Sequence, residues 1–481
     1  MTDVESKITT RADAYARARA RARTSARWIA CSALWLLGAV GAAGAAPVLM
    51  ISVDGMKPEY VLEADRRGLK IPYLRSLLAQ GSFAEGVVGV WPTVTYPSHT
   101  TLVTGVSPAV HGIVNNAEFD PERRFKESWY WYAREIRVPT LWHAARANGL
   151  ATASIGWPVS VGAADVDFLI PEYWRISGPT ADLNPSDRFL IDALSRPENL
   201  PEQMRDSAGL YLMGNDTSLH GDEIKTRFAI EILGKHKPAL MTLHLSSLDD
   251  AEHAHGPFSK EADQTLEAID ALLAALAAAA NAADPASVVA IVSDHGFTAL
   301  THRGNLAVAF AQAGLMAVAE DPETKSPRIT SWKAQPWSAG GMAAIVLHDP
   351  GDRSTERAVG DLLRQLAAEP ANGIAAVRSG SELKALGAFP DAAFLVVMRL
   401  GYYAGTSLSG EQVTAIPAGH GGHGFAPTEP EMRAAFFIAG RGIAAHRDLG
   451  VIDMRQIAPS LAAILGVAMP GAEGAPLRLS R

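Results

Sequence analysis

Four well-separated segments of the chain carry Asp and His side chains at spacings suited to a metal cluster. They are Asp54 in SVDG, Asp249 with His253 in DDAEHAHGP, Asp294 with His295 in SDHGF, and His423 in GHGGHGF. Zinc binds imidazole nitrogen and carboxylate oxygen, and three Asp with three His suffice for two ions that keep open positions. Because two neighbouring divalent ions suit phosphoryl transfer, these segments favour a phosphoester-cleaving enzyme.

A hydroxyl group that could act as the nucleophile lies in the segment WPTVTYPSHTTLVTG. Thr95 stands just before a helix that the pattern predicts over about 98–103. A hydroxyl at a helix N-terminus faces free backbone N–H groups, which favour both its alkoxide and an incoming phosphate. Threonine needs activation to attack, and a bound metal ion can lower its pKa. We therefore expect Thr95 to be the nucleophile.

The elements that must position these residues follow an α/β pattern from residue 47 onward. Short apolar runs predict strands at 47–53, 239–245 and 287–292, and acidic or histidine side chains follow each run. Helices are predicted near 60–80, 137–148, 185–196, 220–235 and 258–282. Ligands bind at the carboxyl ends of parallel strands, so the three strand ends should meet at one site.

A second stretch, at about 319–400, has strands and a helix of its own. The strands are predicted at 343–347 and 393–398, and the helix at about 354–368. We expect a small α+β lobe inserted into a catalytic domain formed by residues 47–318 and 401–481.

The first 46 residues differ from the rest in composition. Basic side chains dominate up to Arg27, and an uncharged stretch from 28 to 46 ends in Ala43-Gly44-Ala45-Ala46. This order predicts a secretory signal peptide, with Ala43-Gly44-Ala45 as the cleavage triplet. The alternative is an uncleaved membrane anchor. Both interpretations predict that the catalytic domain is periplasmic or secreted. It would be bound to the membrane only if the N-terminal segment is not cleaved.

Composition excludes several classes of function. The single cysteine, Cys31, lies inside the predicted leader, so cysteine catalysis, redox chemistry and disulfides are excluded for a processed chain. The formal net charge is −8, which is unfavourable for holding a nucleic-acid polymer by its phosphates. A small-molecule substrate is expected instead.

Five segments together resemble the nucleotide pyrophosphatase/phosphodiesterases of the alkaline phosphatase superfamily. They are ISVDGM, PTVTYPSHTTLVTGVSPAVHGIVNN, DDAEHAHGP, SDHGF and GHGGHGF, in the family's order between residues 47 and 427. The resemblance implies an alkaline phosphatase-like fold with a mixed, mostly parallel sheet flanked by helices. It also implies two zinc ions per chain and hydrolysis of phosphodiester or pyrophosphate bonds in small nucleotide-type substrates, through a phosphothreonine intermediate.

The resemblance assigns a role to each matching residue. One zinc is implied for Asp54, Thr95, Asp294 and His295, and the other for Asp249, His253 and His423. Asn116 and the backbone N–H of Tyr96 are implied to donate to a phosphate oxygen, and Tyr96 and Tyr173 to flank a nucleobase. The family pattern favours Asp249 over Asp250, and His423 over His420.

Other functions stay open within and outside the superfamily. Phosphonoacetate hydrolases share a threonine and similar ligands, and a phosphoethanolamine-type transferase is a further alternative. A catalytically silent metal-binding protein is the alternative that is not an enzyme. Structural roles are expected for His99, His111, His244 and His255, and packing roles for Trp129, Trp131 and Trp142.

Overall fold

The computed structural model describes residues 45–122, 128–174, 187–211 and 216–480. The predicted leader therefore lies, apart from its last two residues, outside the described residues. The strands in chain order are β1 (Val48–Val53), β2 (Ser82–Phe83), β3 (Gly86–Val88), β4 (Thr152–Ile155), β5 (Phe168–Ile170), β6 (Leu240–Leu245), β7 (Val288–Val292), β8 (Thr298–Ala299), β9 (His302–Gly304), β10 (Met316–Glu320), β11 (Pro327–Trp332), β12 (Ala334–Ser338), β13 (Met342–Leu347), β14 (Ile374–Ser379), β15 (Phe394–Met398), β16 (Tyr402–Ala404), β17 (Val413–Ala415), β18 (Gly421–Gly422), β19 (Phe436–Gly440), β20 (Arg447–Asp448) and β21 (Val451–Asp453).

The α-helices flank these strands. They are α1 (Glu59–Leu62), α2 (Ala64–Arg67), α3 (Pro72–Gln80), α4 (Thr95–Thr104), α5 (Pro108–His111), α6 (Leu141–Ala147), α7 (Asp187–Leu194), α8 (Leu200–Gln203), α9 (Arg205–Ala208), α10 (Leu219–His236), α11 (Ser247–His255), α12 (Lys260–Ala283), α13 (Leu306–Gln312), α14 (Arg353–Ala368), α15 (Gly380–Ala385) and α16 (Ile457–Leu465). Short 3-10 turns occupy Ala133–Glu135, Pro370–Asn372, Pro430–Met432 and Met454–Gln456.

The central sheet has eight strands in the order β20-β2-β19-β7-β1-β6-β4-β5. Strands β7, β1, β6, β4 and β5 run parallel to one another, whereas β19 runs antiparallel to both β7 and β2. The expected mixed, mostly parallel sheet is confirmed. Its carboxyl edge carries Asp54 after β1 and Asp294 after β7, and α11 with Asp249 follows β6.

Both faces of the sheet are buried, which explains why its strands are apolar without interruption. Along β1, Leu49, Ile51 and Val53 pack in the core that includes α10 and α12. Val48 and Met50 pack in the core on the opposite face, which includes α16. Alternate side chains of a strand point to opposite faces, so a strand covered on both faces needs apolar residues throughout.

Two helical predictions differ from the structure. The segment predicted as one helix over 60–80 forms three, because Gly68 ends α2 in a left-handed conformation, φ 72°, and Pro72 begins α3. Helix α4 begins at Thr95 itself, three residues before the predicted start. Pro97 lies in the first turn of α4, where a missing backbone N–H costs no intrahelical bond, so it does not delay the start.

Helix α12 is long and apolar enough to cross a membrane, with a mean hydropathy of 1.5 over its most apolar stretch. Its apolar stripe, Leu266, Ile269, Leu273 and Leu276, is fully buried in the core beside the central sheet. Packing against the sheet thus accounts for the composition of this helix.

The predicted lobe contains an antiparallel sheet in the order β12-β13-β15-β14, with α14 packed beside it. The hairpin β10–β11 precedes this sheet. The apolar core around it draws residues from Leu300 to Met432. The packing of this region therefore extends past the predicted limits of 319–400 on both sides.

Candidate active site and metal centre

Three side chains at the ends of β1 and β7 form a buried group. One ligand atom from each of Asp54, Asp294 and His295 lies within 4.8 Å of the others. The His295 Nε2 atom lies 3.0 Å from Asp294 Oδ2 and 3.4 Å from Asp54 Oδ1. The backbone N–H of Gly55 donates to the other oxygen of Asp294, at 3.2 Å, and so holds that carboxylate in place. This geometry is compatible with one small divalent cation.

A second group shares His295 with the first. Asp249, His295 and His423 also offer ligand atoms within 4.8 Å of one another. The rings of His295 and His423 are stacked, with centroids 3.7 Å apart. His253 joins this group, since its Nε2 lies 3.4 Å from Asp249 Oδ2. Neither competing neighbour belongs to these groups. Asp250 is exposed and contacts Thr217, and His420 is exposed, with its Nδ1 bonded to the His253 carbonyl.

Backbone carbonyls orient two of the histidines. The Nδ1 of His253 donates to the carbonyl of Gly421 at 3.1 Å, and the Nδ1 of His423 donates to that of Thr93 at 3.1 Å. Each ring therefore keeps Nε2 as the acceptor that a metal requires, an arrangement common around protein metal ligands.

The two groups contain buried polar atoms without a hydrogen-bond partner, and these atoms are suited to bind a cation. Asp54 Oδ1, Asp249 Oδ1, Asp294 Oδ2 and both ring nitrogens of His295 are buried without an aligned hydrogen-bond partner among the described residues. Burial and the nearby Asp294 and Asp249 raise the pKa of Asp54 well above its ordinary value. Burying mutually repelling carboxylates is costly unless positive charge neutralises them, and two divalent ions would supply that charge.

The start of helix α4 adjoins the first group. His99, one turn along α4, is fully buried and its Nδ1 donates to the Thr95 carbonyl at 2.9 Å. The same nitrogen lies 3.6 Å from Asp294 Oδ2. Thr95 itself is half-buried, whereas the nine residues after it in the helix are buried. The predicted nucleophile thus lies at the accessible end of a helix fixed beside Asp294.

Asn116 is tied directly to the residue after Thr95. Its Oδ1 accepts a hydrogen bond of 2.9 Å from the backbone N–H of Tyr96. That N–H was expected to donate to a phosphate oxygen, but in this structure it fixes the Asn116 amide. The side-chain Nδ2 of Asn116 then remains as a hydrogen-bond donor.

Two buried residues contact the site although the sequence did not predict them to belong to it. His244, expected to be only structural, lies 3.0 Å from Asp54 Oδ2 through Nε2 and 2.9 Å from Glu172 Oε2 through Nδ1. Burial lowers the pKa of His244, but the hydrogen bonds to Asp54 and Glu172 outweigh it and raise the pKa to about 10. A histidine inside the buried and otherwise uncharged strand LMTLHL was the available signal.

Glu172 extends this chain of contacts to Tyr96. The Tyr96 hydroxyl donates to Glu172 Oε1 at 2.6 Å, and the tyrosine is only 1% exposed. The Tyr96 ring therefore has no open face in this structure. Stacking on a nucleobase, as the resemblance implies, would require residues packed around the ring to move. Trp129, whose ring centroid lies 5.0 Å away, is one of them.

Tyr173, the other predicted base-flanking residue, is half-buried and contacts Trp131 with ring centroids 5.3 Å apart. A continuous arc of aromatic rings, Tyr96, Trp129, Trp174, Trp131 and Tyr173, joins the two tyrosines. Trp129 and Trp131 pack as expected, and they do so between the two residues assigned to a base slot.

The predicted lobe also contacts segments that carry candidate site residues. The turn between β12 and β13 lies against the segment of His423, where the Gly341 N–H donates to the His423 carbonyl at 2.9 Å. A Cβ on Gly340, φ 70°, would lie 2.4 Å from that carbonyl oxygen. Asn115, beside Asn116, donates to the Ser338 carbonyl at the end of β12 at 2.9 Å. The predicted lobe therefore contacts the segment of His423 and the Asn116 loop.

Comparison with known proteins agrees with this geometry. Residues 48–391 match the model of the type I phosphodiesterase/nucleotide pyrophosphatase family. Human ectonucleotide pyrophosphatase/phosphodiesterase family member 1 is 22% identical over 233 residues, which cover 46% of this chain and 20% of that protein. Venom phosphodiesterase of Naja atra is 26% identical over 184 residues, covering 36% of this chain and 20% of the venom enzyme. The matched part thus spans about a fifth of these relatives.

Among solved structures, murine ectonucleotide pyrophosphatase/phosphodiesterase 5 is similar over 89% of this chain and 97% of that chain, with a TM-score of 0.61 and 20% identity. This likeness confirms the alkaline phosphatase-like fold. The family match extends from β1 into the predicted lobe and includes Thr95 and most of the Asp and His segments. The chain belongs to the type I phosphodiesterase/nucleotide pyrophosphatase family, a family of hydrolases.

Proposed function

We propose that this protein is a two-zinc phosphodiesterase or nucleotide pyrophosphatase that acts outside the cytoplasm through Thr95. The observation that carries the proposal is the pair of overlapping Asp and His groups beside the N-terminus of α4. Asp54, Thr95, Asp294 and His295 would hold one ion, and Asp249, His253 and His423 the other. When bound, the ions would neutralise the carboxylates and stabilise the charge that develops on the transferring phosphoryl group.

The proposed reaction has two displacement steps at phosphorus. The Thr95 hydroxyl gives up its proton, its oxygen attacks phosphorus and forms a phosphothreonine, and the leaving oxygen departs with the bonding electron pair and takes up a proton. Water then attacks the phosphothreonine, releases the nucleoside monophosphate and restores Thr95. Asn116 donates from Nδ2 to a non-bridging oxygen, and its fixed orientation lowers the cost of ordering in the transition state.

What is known of similar proteins supports a nucleotide substrate and an extracellular location. One murine structure with a TM-score of 0.61 is described as an inactive threonine-to-alanine form of ectonucleotide pyrophosphatase/phosphodiesterase 5 in complex with AMP. The relatives include an ectoenzyme and a venom enzyme. The basic and apolar leader of this chain agrees with export, by cleavage or as an anchor.

A panel of p-nitrophenyl esters tests this function. We expect the zinc-loaded protein to cleave the p-nitrophenyl ester of thymidine 5′-monophosphate faster than bis(p-nitrophenyl) phosphate, and both faster than p-nitrophenyl phosphate. A monoester carries an additional negative charge, which favours an arginine clamp that the motifs do not provide. Release of p-nitrophenolate and elemental analysis of zinc are the measurements. Faster cleavage of phosphonoacetate than of any ester would instead favour a phosphonoacetate hydrolase.

We also propose that His244 positions Asp54 for metal binding, with Glu172 behind it. The His244→Gln variant cannot bridge two carboxylates, so zinc affinity of the first group should fall about ten- to a hundredfold. Competition with a chromophoric chelator measures this affinity, and one of the two ions should be lost preferentially.

A buried histidine without contact to the metal groups provides the control for His244. His111 is buried and bonded to Thr101 on α4. The His111→Gln variant should lower the unfolding temperature while leaving zinc affinity unchanged. Equal loss of zinc affinity in both variants would show that His244 acts only through general stability.

A further inference from the structure

A buried aspartate on α10, Asp222, holds the start of helix α11, which carries the candidate metal ligands Asp249 and His253. Its Oδ1 accepts a hydrogen bond of 3.0 Å from the backbone N–H of Ser246, and its Oδ2 accepts one of 2.9 Å from that of Ser247. The Ser247 hydroxyl also donates to Oδ2, at 2.6 Å. Three hydrogen bonds from the turn between β6 and α11 therefore converge on one carboxylate, which lies 24 residues before Ser246.

The N-cap residue of α11, Ser246, does not cap the helix with its own side chain. A serine at this position commonly accepts a hydrogen bond from a backbone N–H of the first helical turn, but Ser246 accepts none there from the described residues. Its hydroxyl accepts a hydrogen bond of 3.0 Å from the Nζ of Lys225 instead. The N–H groups of Ser246 and Ser247 therefore depend on Asp222, because a buried N–H without an acceptor is costly.

Lys225, one turn after Asp222 on α10, provides the counterion for the buried carboxylate. Its Nζ lies 3.3 Å from Asp222 Oδ1, and the two side chains are only 5% and 0% exposed. A buried charge is costly unless it is paired and hydrogen-bonded, and Asp222 has both kinds of partner. The carboxylate can therefore stay ionised while it binds the start of α11.

The turn that Asp222 holds determines where two metal ligands point. Asp249 lies two residues after Ser247, in the first turn of α11, and His253 lies one turn further on the same face. The two side chains approach each other to 3.4 Å. Because a helical turn moves as a unit, a small rotation at its start would shift both ligands relative to His295 and His423. Metal sites tolerate only small departures from their ligand geometry.

We propose that Asp222 is a positioning residue for the second metal group. It fixes the turn between β6 and α11 so that Asp249 and His253 keep the direction that a shared cation requires. Asp222 belongs to neither group of candidate ligands, so it acts only through the backbone and hydroxyl of α11. This inference rests on the proposed function and adds to it a residue that the metal does not touch.

Competition with a chromophoric chelator tests this role. The Asp222→Asn side chain keeps its size but offers one oxygen acceptor where the carboxylate offers two. We expect the zinc affinity of the second group to fall about ten- to a hundredfold, which is typical for groups that orient metal ligands, while the first group keeps its ion. In the Asp249→Asn background, the same substitution should cause little further loss, because the ligand that it positions is already gone.

A milder variant covers the case in which Asp222→Asn does not fold, since that variant leaves the charge of Lys225 buried without its counterion. Ser247→Ala keeps this ion pair and removes only the hydroxyl that donates to Asp222 Oδ2. We expect its zinc affinity to fall about three- to tenfold, consistent with the loss of one hydrogen bond to a charged group.

Asp270 provides the matched control. It is also buried, and it accepts hydrogen bonds from two backbone N–H groups at the start of another helix, those of Tyr73 and Leu74 in α3. Asp270→Asn should lower the unfolding temperature of the zinc-free protein and leave zinc affinity unchanged. Equal losses of zinc affinity in Asp222→Asn and Asp270→Asn, or unchanged affinity in both Asp222→Asn and Ser247→Ala, would overturn the positioning role. A wild-type protein that binds no zinc would instead remove the proposed function.

Discussion

The Thr95→Ala protein should lose turnover of the p-nitrophenyl ester of thymidine 5′-monophosphate by at least about a thousandfold, while its zinc content stays nearly unchanged. Removing Oγ removes the attacking atom, whereas Asp54, Asp294 and His295 still provide three ligands in the first group. Alanine is also a good helix former, so the start of α4 should stay intact. Steady-state rates and elemental analysis on the same preparation measure both outcomes.

The Thr95→Ser protein is the matched variant, because it keeps the hydroxyl and loses one methyl group. It should retain turnover and give a phosphorylated peptide containing residue 95 after acid quench. Near wild-type activity in the alanine variant would exclude Thr95 as the nucleophile. Loss of one zinc equivalent in that variant would show that Thr95 acts mainly as a ligand.

The second large effect is expected at Asp249, where the chain supplies its own control. Asp249→Asn keeps the size of the side chain but removes the negative charge beside His253 and His423. We expect about one zinc ion fewer per chain and a fall in kcat/KM of at least about a thousandfold, since a metal ion contributes several kcal/mol to stabilising the transition state.

Asp250 is the neighbouring acid, and it is exposed and contacts Thr217 at 3.3 Å. The Asp250→Asn protein should keep both ions and nearly all activity. If the two variants exchanged these behaviours, the ligand of α11 would be Asp250, and the helix would have to rotate from the geometry described. If neither variant lost zinc, the second group would not be a metal site.

Strand positions could be predicted because a parallel sheet buried on both faces leaves continuous apolar runs in the sequence. The runs at β1, β6 and β7 agree with the structure to within one residue. The rule that ligands gather at the carboxyl ends of such strands then predicts that Asp54, Asp249 and Asp294 meet. Spacing alone could not decide between Asp249 and Asp250 or between His420 and His423, and the resemblance was needed there.

Features that depend on packing between distant segments left weaker signals. The contact of His244 with Glu172 joins residues 72 positions apart, and no local pattern specifies it. The burial of the Tyr96 ring depends on Glu172 and Trp129, which come from different loops. The start of α4 was predicted three residues too late because Pro97 is commonly a sign of a turn. A proline at the third helical position is nevertheless tolerated sterically.

The contact between the β12–β13 turn and the His423 segment has a consequence for divergence among relatives. Gly340 and Gly341 leave no room for side chains against residues 423–425. The hairpin β10–β11, which is largely exposed, should therefore tolerate substitutions that the turn between β12 and β13 does not. An exchange of β12 and β13 between homologues should therefore carry both glycines together with residues 423–425.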